Sequence, residues 1–304
     1  MRIGVDIGGT KIEAAAIDSA GNIVLRQRVP TPASDYAAAV EAIAGVVEAI
    51  EAEIGLHCPV GLGIPGTISP ATGLVKNAPN SPFNGYPMDK DLERRLARPL
   101  RLMNDANCFA LSEAVDGSGA GADSVFGVIL GTGCGGGLVF DGEPVRGRNA
   151  IAGEWGHNPL PWPDAGELPG NRCNCGKNGC IETFLSGPGF AAHHNAATGE
   201  HLTAPEIADR AAAGDAAATA SLRQYESRLA RALASIINVV DPEIIVLGGG
   251  MSNVSGLYEA VPKLWGRWIF SDHVETRLVP PRFGDSSGVR GAAWLWPEDA
   301  GAQG

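Results

Sequence analysis

The sequence is short of basic residues. Lysine and arginine number 23 against 34 acids, a formal net charge of −11, and no segment gathers them into a patch. A nucleic-acid partner needs Lys and Arg to neutralise phosphates, so the composition argues against one. Long apolar runs are missing too: nothing reaches the roughly 18 uninterrupted residues that span a bilayer. The opening MRIGVDIGG carries Asp6 where a signal peptide would be apolar, so no export signal is expected. Cysteine is scarce, six in 304 residues, and Cys58, Cys108 and Cys134 stand singly among apolar neighbours. Reduced core thiols look like this, and a cytoplasmic protein is the expectation.

The other three cysteines crowd into CNCGKNGC at 173–180, spaced C-x-C-x4-C. Glycine is the opposite anomaly: 42 residues, about twice the usual ~7%. Apolar runs repeatedly end in it, in RIGVDIGGT, VGLGIPGT (60–67), VFGVILGTGCGGG (125–137) and EIIVLGGGM (243–251). Each reads as a buried strand feeding a turn that needs positive φ or close approach to a ligand. Helical patterns lie between them, at 36–54 with Asp35 as cap, at 89–96, at 107–115 and within 205–240. Alternating strands and helices predict an α/β fold. The length suits two lobes at roughly 100–200 residues each. Glycine turns recurring at 8, 131 and 248 suggest that the lobes are related. Residues 66–88 and 158–180 read as irregular, and the tail 298–304 as frayed.

The chemistry-bearing residues cluster with these turns. In DIGGTK, Gly8 and Gly9 let backbone N–H groups approach phosphate oxygens, Thr10 adds a hydroxyl and Lys11 a charge. Asp6 suits a magnesium-bound water; an ordinary hairpin turn is the plainer alternative. GTGCGGG, Gly131–Gly137, reads as a second such turn with Gly131, Thr132 and Gly133 at its head, and Gly248, Gly249 and Gly250 form a third. Together the three could surround one nucleotide. NDAN (104–107) places Asp105 at a strand end, either as an N-cap or as a general base with Asn104 orienting the substrate. GEWGH ends in His157, 16 residues before Cys173. With Cys175 and Cys180 it completes a four-ligand set suited to structural zinc. Such an ion would hold Glu154 and Glu182, from different segments, against one pocket.

The whole set resembles the ROK family of sugar kinases (repressors, open reading frames and kinases). It runs in order from DIGGTK through GIPG (63–66), NDAN, LGTGCGGG, GEWGH, CNCGKNGCIE and IIVLGGG to SSGVRGAA (286–293). Within the family, ISPATGLVKNAPNS, GEWGHNPLPW and GDSSGVRGAAWLWP look most like bacterial fructokinases of the mannofructokinase type. The resemblance implies an actin-like ATPase fold of RNase H-like topology. It implies a small lobe of 1–116 plus 289–304 and a large lobe of 117–288. It implies ATP and magnesium at Gly8–Lys11 and Gly131–Gly133, with Gly248–Gly250 at the nucleoside. Asp105 would be the catalytic base, and Gly66, Asn104, Glu154, His157 and Glu182 the sugar contacts. His157, Cys173, Cys175 and Cys180 would hold zinc, and a homodimer is expected. The implied reaction is phosphorylation of fructose at its 6-hydroxyl, with N-acetylglucosamine kinase, or a broad glucose/mannose kinase, of the same family as the alternative. A repressor of the same fold would need a helix-turn-helix before the first strand, where this sequence already begins strand at residue 2. A chaperone-type ATPase without a sugar site is opposed by GEWGH and the cysteine cluster.

Overall fold

The computed structural model describes residues 1–79 and 81–297; the tail expected to fray, 298–304, lies outside them, as does the end of the small-lobe segment 289–304. The first half builds β1 (Arg2–Ile7), β2 (Lys11–Ile17), β3 (Ile23–Pro30), α1 (Tyr36–Ile54), β4 (Val60–Ile64), β5 (Thr67–Ile68), β6 (Val75–Lys76), α2 (Met88–Leu96), β7 (Leu100–Asn104) and α3 (Asp105–Val115). A five-stranded sheet runs β3-β2-β1-β4-β7: β1, β2 and β3 meander antiparallel, while β4 and β7 join parallel. β1 and β4 are covered on both faces: β4 (VGLGI) reads as an unbroken apolar run, and β1 (RIGVDI) is apolar between Arg2 and Asp6. β3 lies at the edge and alternates half-buried with exposed residues. Helix α1 starts where Asp35 accepts the Ala38 N–H and stops at Gly55, whose φ of 69° a left-handed cap requires. Its Ile43, Val47 and Ile50 are fully buried with Ile3, Val5 and Leu62 of the sheet. The segment 66–88, expected to be irregular, carries the small β5–β6 ladder.

The second half repeats the plan with β8 (Ser124–Leu130), β9 (Cys134–Phe140), β10 (Glu143–Pro144), α4 (Glu182–Leu185), α5 (Gly187–Thr198), α6 (Ala204–Ala212), α7 (Ala216–Val240), β11 (Ile244–Gly248), α8 (Leu257–Trp265), β12 (Arg277–Val279) and α9 (Ser287–Trp294). Its sheet runs β10-β9-β8-β11-β12, again an antiparallel hairpin followed by a parallel partner. One reading is corrected here. GTGCGGG is not one long turn: only Gly131–Gly133 turn, and Gly135–Gly137 lie inside β9. A β-carbon at Gly135 would sit 2.9 Å from Ala106 Cβ, and one at Gly137 2.8 Å from the Ala106 carbonyl. These strand glycines serve the close seating of α3, the helix that carries Asp105.

Helices α3 and α9 lie between the two sheets. α9 packs over β1 and β4, and α3 packs against β8, β9 and α9. A β-carbon at Gly291 would overlap the Cys108 carbonyl, so the two helices cross nearly backbone to backbone. No helix among the described residues is long and apolar enough to cross a membrane.

Candidate functional site

The parallel strands β1, β4 and β7 all end at one edge, and β8 and β11 do the same in the second sheet. Open α/β sheets bind ligands beyond such carboxyl ends. At the first edge, Asn104 caps α3: its Oδ1 accepts the Ala106 N–H at 3.0 Å, while its Nδ2 donates to the Gly66 carbonyl at 3.2 Å. Capping therefore belongs mainly to Asn104. Asp105 accepts the Ala106 N–H at 2.8 Å and leaves its carboxylate open to the cleft. Burial of the surrounding site raises the Asp105 pKa, offset by the Ala106 N–H and raised further by Glu154. Asp6 is pushed up to about 7, first by burial and then by the charge of Asp105. A carboxylate in that condition is a stronger base than one in water.

The first turn is a tight hairpin in which the Gly8 N–H donates to the Lys11 carbonyl at 2.9 Å. Its tip, Gly9 and Thr10, is exposed. Lys11 Nζ lies 3.5 Å from Glu13 Oε2, on an exposed side chain. The other two turns meet: a β-carbon at Gly249 (φ 78°) would lie 2.6 Å from the Leu130 carbonyl and 2.9 Å from the Gly131 nitrogen. Beside them opens a cavity of about 910 Å³, lined by Gly131, Thr132 and Gly250 together with Pro188, Ala204 and Leu222. Gly248 is buried against the Phe109 ring instead, and the 8–11 turn does not line this cavity. Its apolar walls come from α5, α6 and α7, whose alanines and leucines carry no chemical signature in sequence.

The cysteine loop folds back on the GEWGH turn. Trp155 fixes that turn by donating from Nε1 to the Gly135 carbonyl at 2.9 Å and meeting Phe126 edge-on at 5.7 Å. One ligand atom from each of His157, Cys173, Cys175 and Cys180 lies within 4.8 Å of the others. His157 Nδ1 is 3.5 Å from Cys173 Sγ, and Cys175 Sγ is 3.5 Å from Cys180 Sγ. Tetrahedral zinc with bonds of about 2.0–2.3 Å separates its ligands by just such spans, so the residues fit the ion. No disulfide joins them. Burial pushes the Cys180 thiol up to about 12 and raises Cys173, while the Lys177 N–H lowers Cys175. Thiols in that state call for a cation to become thiolates.

The same cluster sets two carboxylates. Glu182 Oε2 accepts the Cys134 N–H at 3.1 Å, and its Oε1 accepts from the Cys173 thiol at 3.6 Å. Glu154 Oε2 lies 4.0 Å from His157 Nε2. Sequence reasoning missed what anchors the loop: Glu167 pairs with Arg228 at 2.7 Å and Arg231 at 2.8 Å, all three buried.

The ROK family model matches residues 2–299. The chain belongs to the ROK family. An N-acetyl-D-glucosamine kinase of Vibrio cholerae is 43% identical over 97% of this chain and 99% of its own. Among solved structures, a ROK hexokinase from Thermus thermophilus superposes with a TM-score of 0.86 at 32% identity, over 96% of each chain. A ROK glucokinase from Streptomyces griseus, in complex with glucose and AMPPNP, superposes at 0.78 and 31% identity, over 97% of this chain and 98% of its own. The fold is accordingly the actin-like ATPase fold of the family.

Proposed function

We propose that this ROK-family chain is an ATP-dependent sugar kinase that transfers the γ-phosphoryl group to the 6-hydroxyl of a hexose, N-acetyl-D-glucosamine first. The observation that carries the kinase reading is Asp105: a carboxylate of raised pKa, open to the cleft at a strand end, with Asn104, Glu154 and Asp6 around it. A sugar hydroxyl is a weak nucleophile, and Asp105 accepts its proton as the phosphoryl group transfers. The loose transition state leaves the protein chiefly to position and to neutralise charge. Carboxylates accept hydrogen bonds from hydroxyls, so Glu154 and Glu182 hold the sugar ring with His157 and the Gly66 backbone. The turns at Gly8–Lys11 and Gly131–Gly133 face the phosphates, and the cavity at Gly250 takes the nucleoside. Magnesium supplies charge neutralisation when bound with ATP. Asp6, whose pKa is raised by burial and then by the charge of Asp105, suits a hard cation's water. Zinc would fix the loop through His157, Cys173, Cys175 and Cys180, a closed ligand set with no position left for chemistry.

The acceptor is where the expectation from sequence shifts. N-acetyl-D-glucosamine kinases of Vibrio cholerae and Photobacterium profundum, 43% and 42% identical to this chain, favour the acetamido sugar over fructose. Fructose remains a second reading on one observation. The 68–81 segment, which resembles fructokinases in wording, begins in β5 and includes β6. A β-carbon at Gly66 would overlap the Lys76 carbonyl, so the segment packs against a candidate sugar contact. A coupled assay with ATP, magnesium and a sugar panel decides: kcat/KM for N-acetylglucosamine should exceed that for fructose. The reverse order would restore the fructokinase reading, and no sugar-dependent ADP release at all would overturn both.

A further inference from the structure

Asn107 closes the NDAN run, and nothing in the mechanism above uses it. It stands in the first turn of α3, two residues past Asp105, with only 7% of its surface exposed. Its Oδ1 receives no hydrogen bond from any described residue. Buried acceptors in folded proteins are almost always paired, and an unpaired one is destabilising. Asn107 also lines a small cavity of about 20 Å³, together with Asn104, Glu154, Thr67 and Arg146. That volume takes one water-sized group. Two of those neighbours, Asn104 and Glu154, are the candidate sugar contacts. A carbonyl oxygen can only accept, so its partner must be a donor. A hydroxyl is a donor of that size, and Glu154 lines the same cavity.

We propose that Asn107 is a further polar contact of the sugar site, its Oδ1 accepting a hydrogen bond from one hydroxyl-sized donor in the cavity it shares with Glu154. The donor is a ring hydroxyl of the acceptor sugar or a water that passes the sugar's contact on to Glu154. The inference rests on the sugar-kinase reading and adds a residue to it. It also carries a consequence for selectivity. A site that pairs a hydroxyl disfavours a ligand lacking it, and this cavity has no room for an acetamido group. The acetamido group of N-acetylglucosamine must therefore point elsewhere.

The test uses the full chain with its best acceptor sugar and the singly deoxygenated analogues of that sugar. Asn107→Leu removes the acceptor at similar volume, and Asn107→Asp keeps it. Asn107→Leu should retain its melting transition and lower kcat/KM about 10–100-fold, the range expected for one lost polar contact, while Asn107→Asp loses less. If the donor belongs to the sugar, one deoxy analogue is as poor for the wild type as the parent sugar is for Asn107→Leu. The variant then loses nothing more with that analogue. If the donor is water, the variant loses equally with every sugar. Should Asn107→Leu fail to fold, Asn107→Ala, which also lacks an acceptor, is read the same way. A folded variant within twofold of wild type on every sugar overturns the proposal while leaving the kinase reading intact. A wild type that phosphorylates no sugar overturns both.

Discussion

His157 turns Nδ1 to Cys173 at 3.5 Å and brings Nε2 to within 4.0 Å of Glu154. One imidazole therefore stands between the cysteine cluster on one side and Glu154, a proposed sugar contact, on the other. Binding a metal through Nδ1 would fix the ring, and the ring would fix what faces Glu154. On the proposed reading, loop stability becomes sugar affinity through this residue.

Purified protein should accordingly carry one zinc per chain, measurable by metal analysis. Cys175→Ser should lower zinc content and the melting temperature, on the order of 5–10 °C, because metal binding is linked to folding. Sugar affinity should weaken with it. Metal-free protein that binds sugar as well as the zinc-loaded form would break the link.

Asp6 gives a pH dependence whose sign follows from its raised pKa. Its pKa climbs from 3.8 to about 7 on folding, so the native state binds the proton more tightly than the unfolded chain. The contribution to stability is fully present below about pH 4 and is lost as pH rises through 7. In magnesium-free buffer, Asp6→Asn should therefore raise the melting temperature relative to wild type at pH 8, and by less at pH 4. The expected gain is a few degrees, at ~2–4 °C per kcal/mol. An equal effect at both pH values would contradict the assignment.

The buried Glu167 makes a different kind of claim. Arg228 and Arg231 hold its pKa at about 2, their hydrogen bonds overcoming the cost of burial. Removing one member leaves buried charge uncompensated, which costs about 3–5 kcal/mol. Glu167→Ala should lose that much in urea unfolding, and Arg231→Met in the Ala background should cost little more. Additive losses would show that the three side chains do not act as one unit.

Much of this architecture was legible because buried parallel strands are mostly apolar, and those of β1, β4, β8 and β11 each lead into a glycine turn. The cluster of His157, Cys173, Cys175 and Cys180 was legible because residue types and spacing are local. β9 was hidden, since its glycines serve contact with α3 and mimic a turn. The ladder at Thr67–Ile68 is too short to show a period. The Glu167 cluster joins residues 61 and 64 positions apart, and sequence carries no mark of that pairing. Lys11 was read as a phosphate contact from its place in DIGGTK, whereas its ammonium lies beside Glu13; only ligand binding tests the first role.

The central claim is that Asp105 is the base of a sugar kinase, and turnover of Asp105→Asn measures it directly. The substitution keeps size and shape but cannot take a proton. With the best acceptor sugar and saturating ATP and magnesium, kcat should fall roughly 10²–10⁴-fold, while the melting temperature and the sugar dissociation constant stay close to wild type. A variant that turns over at near wild-type rate would remove Asp105 from the mechanism and, with it, the observation on which the kinase reading stands.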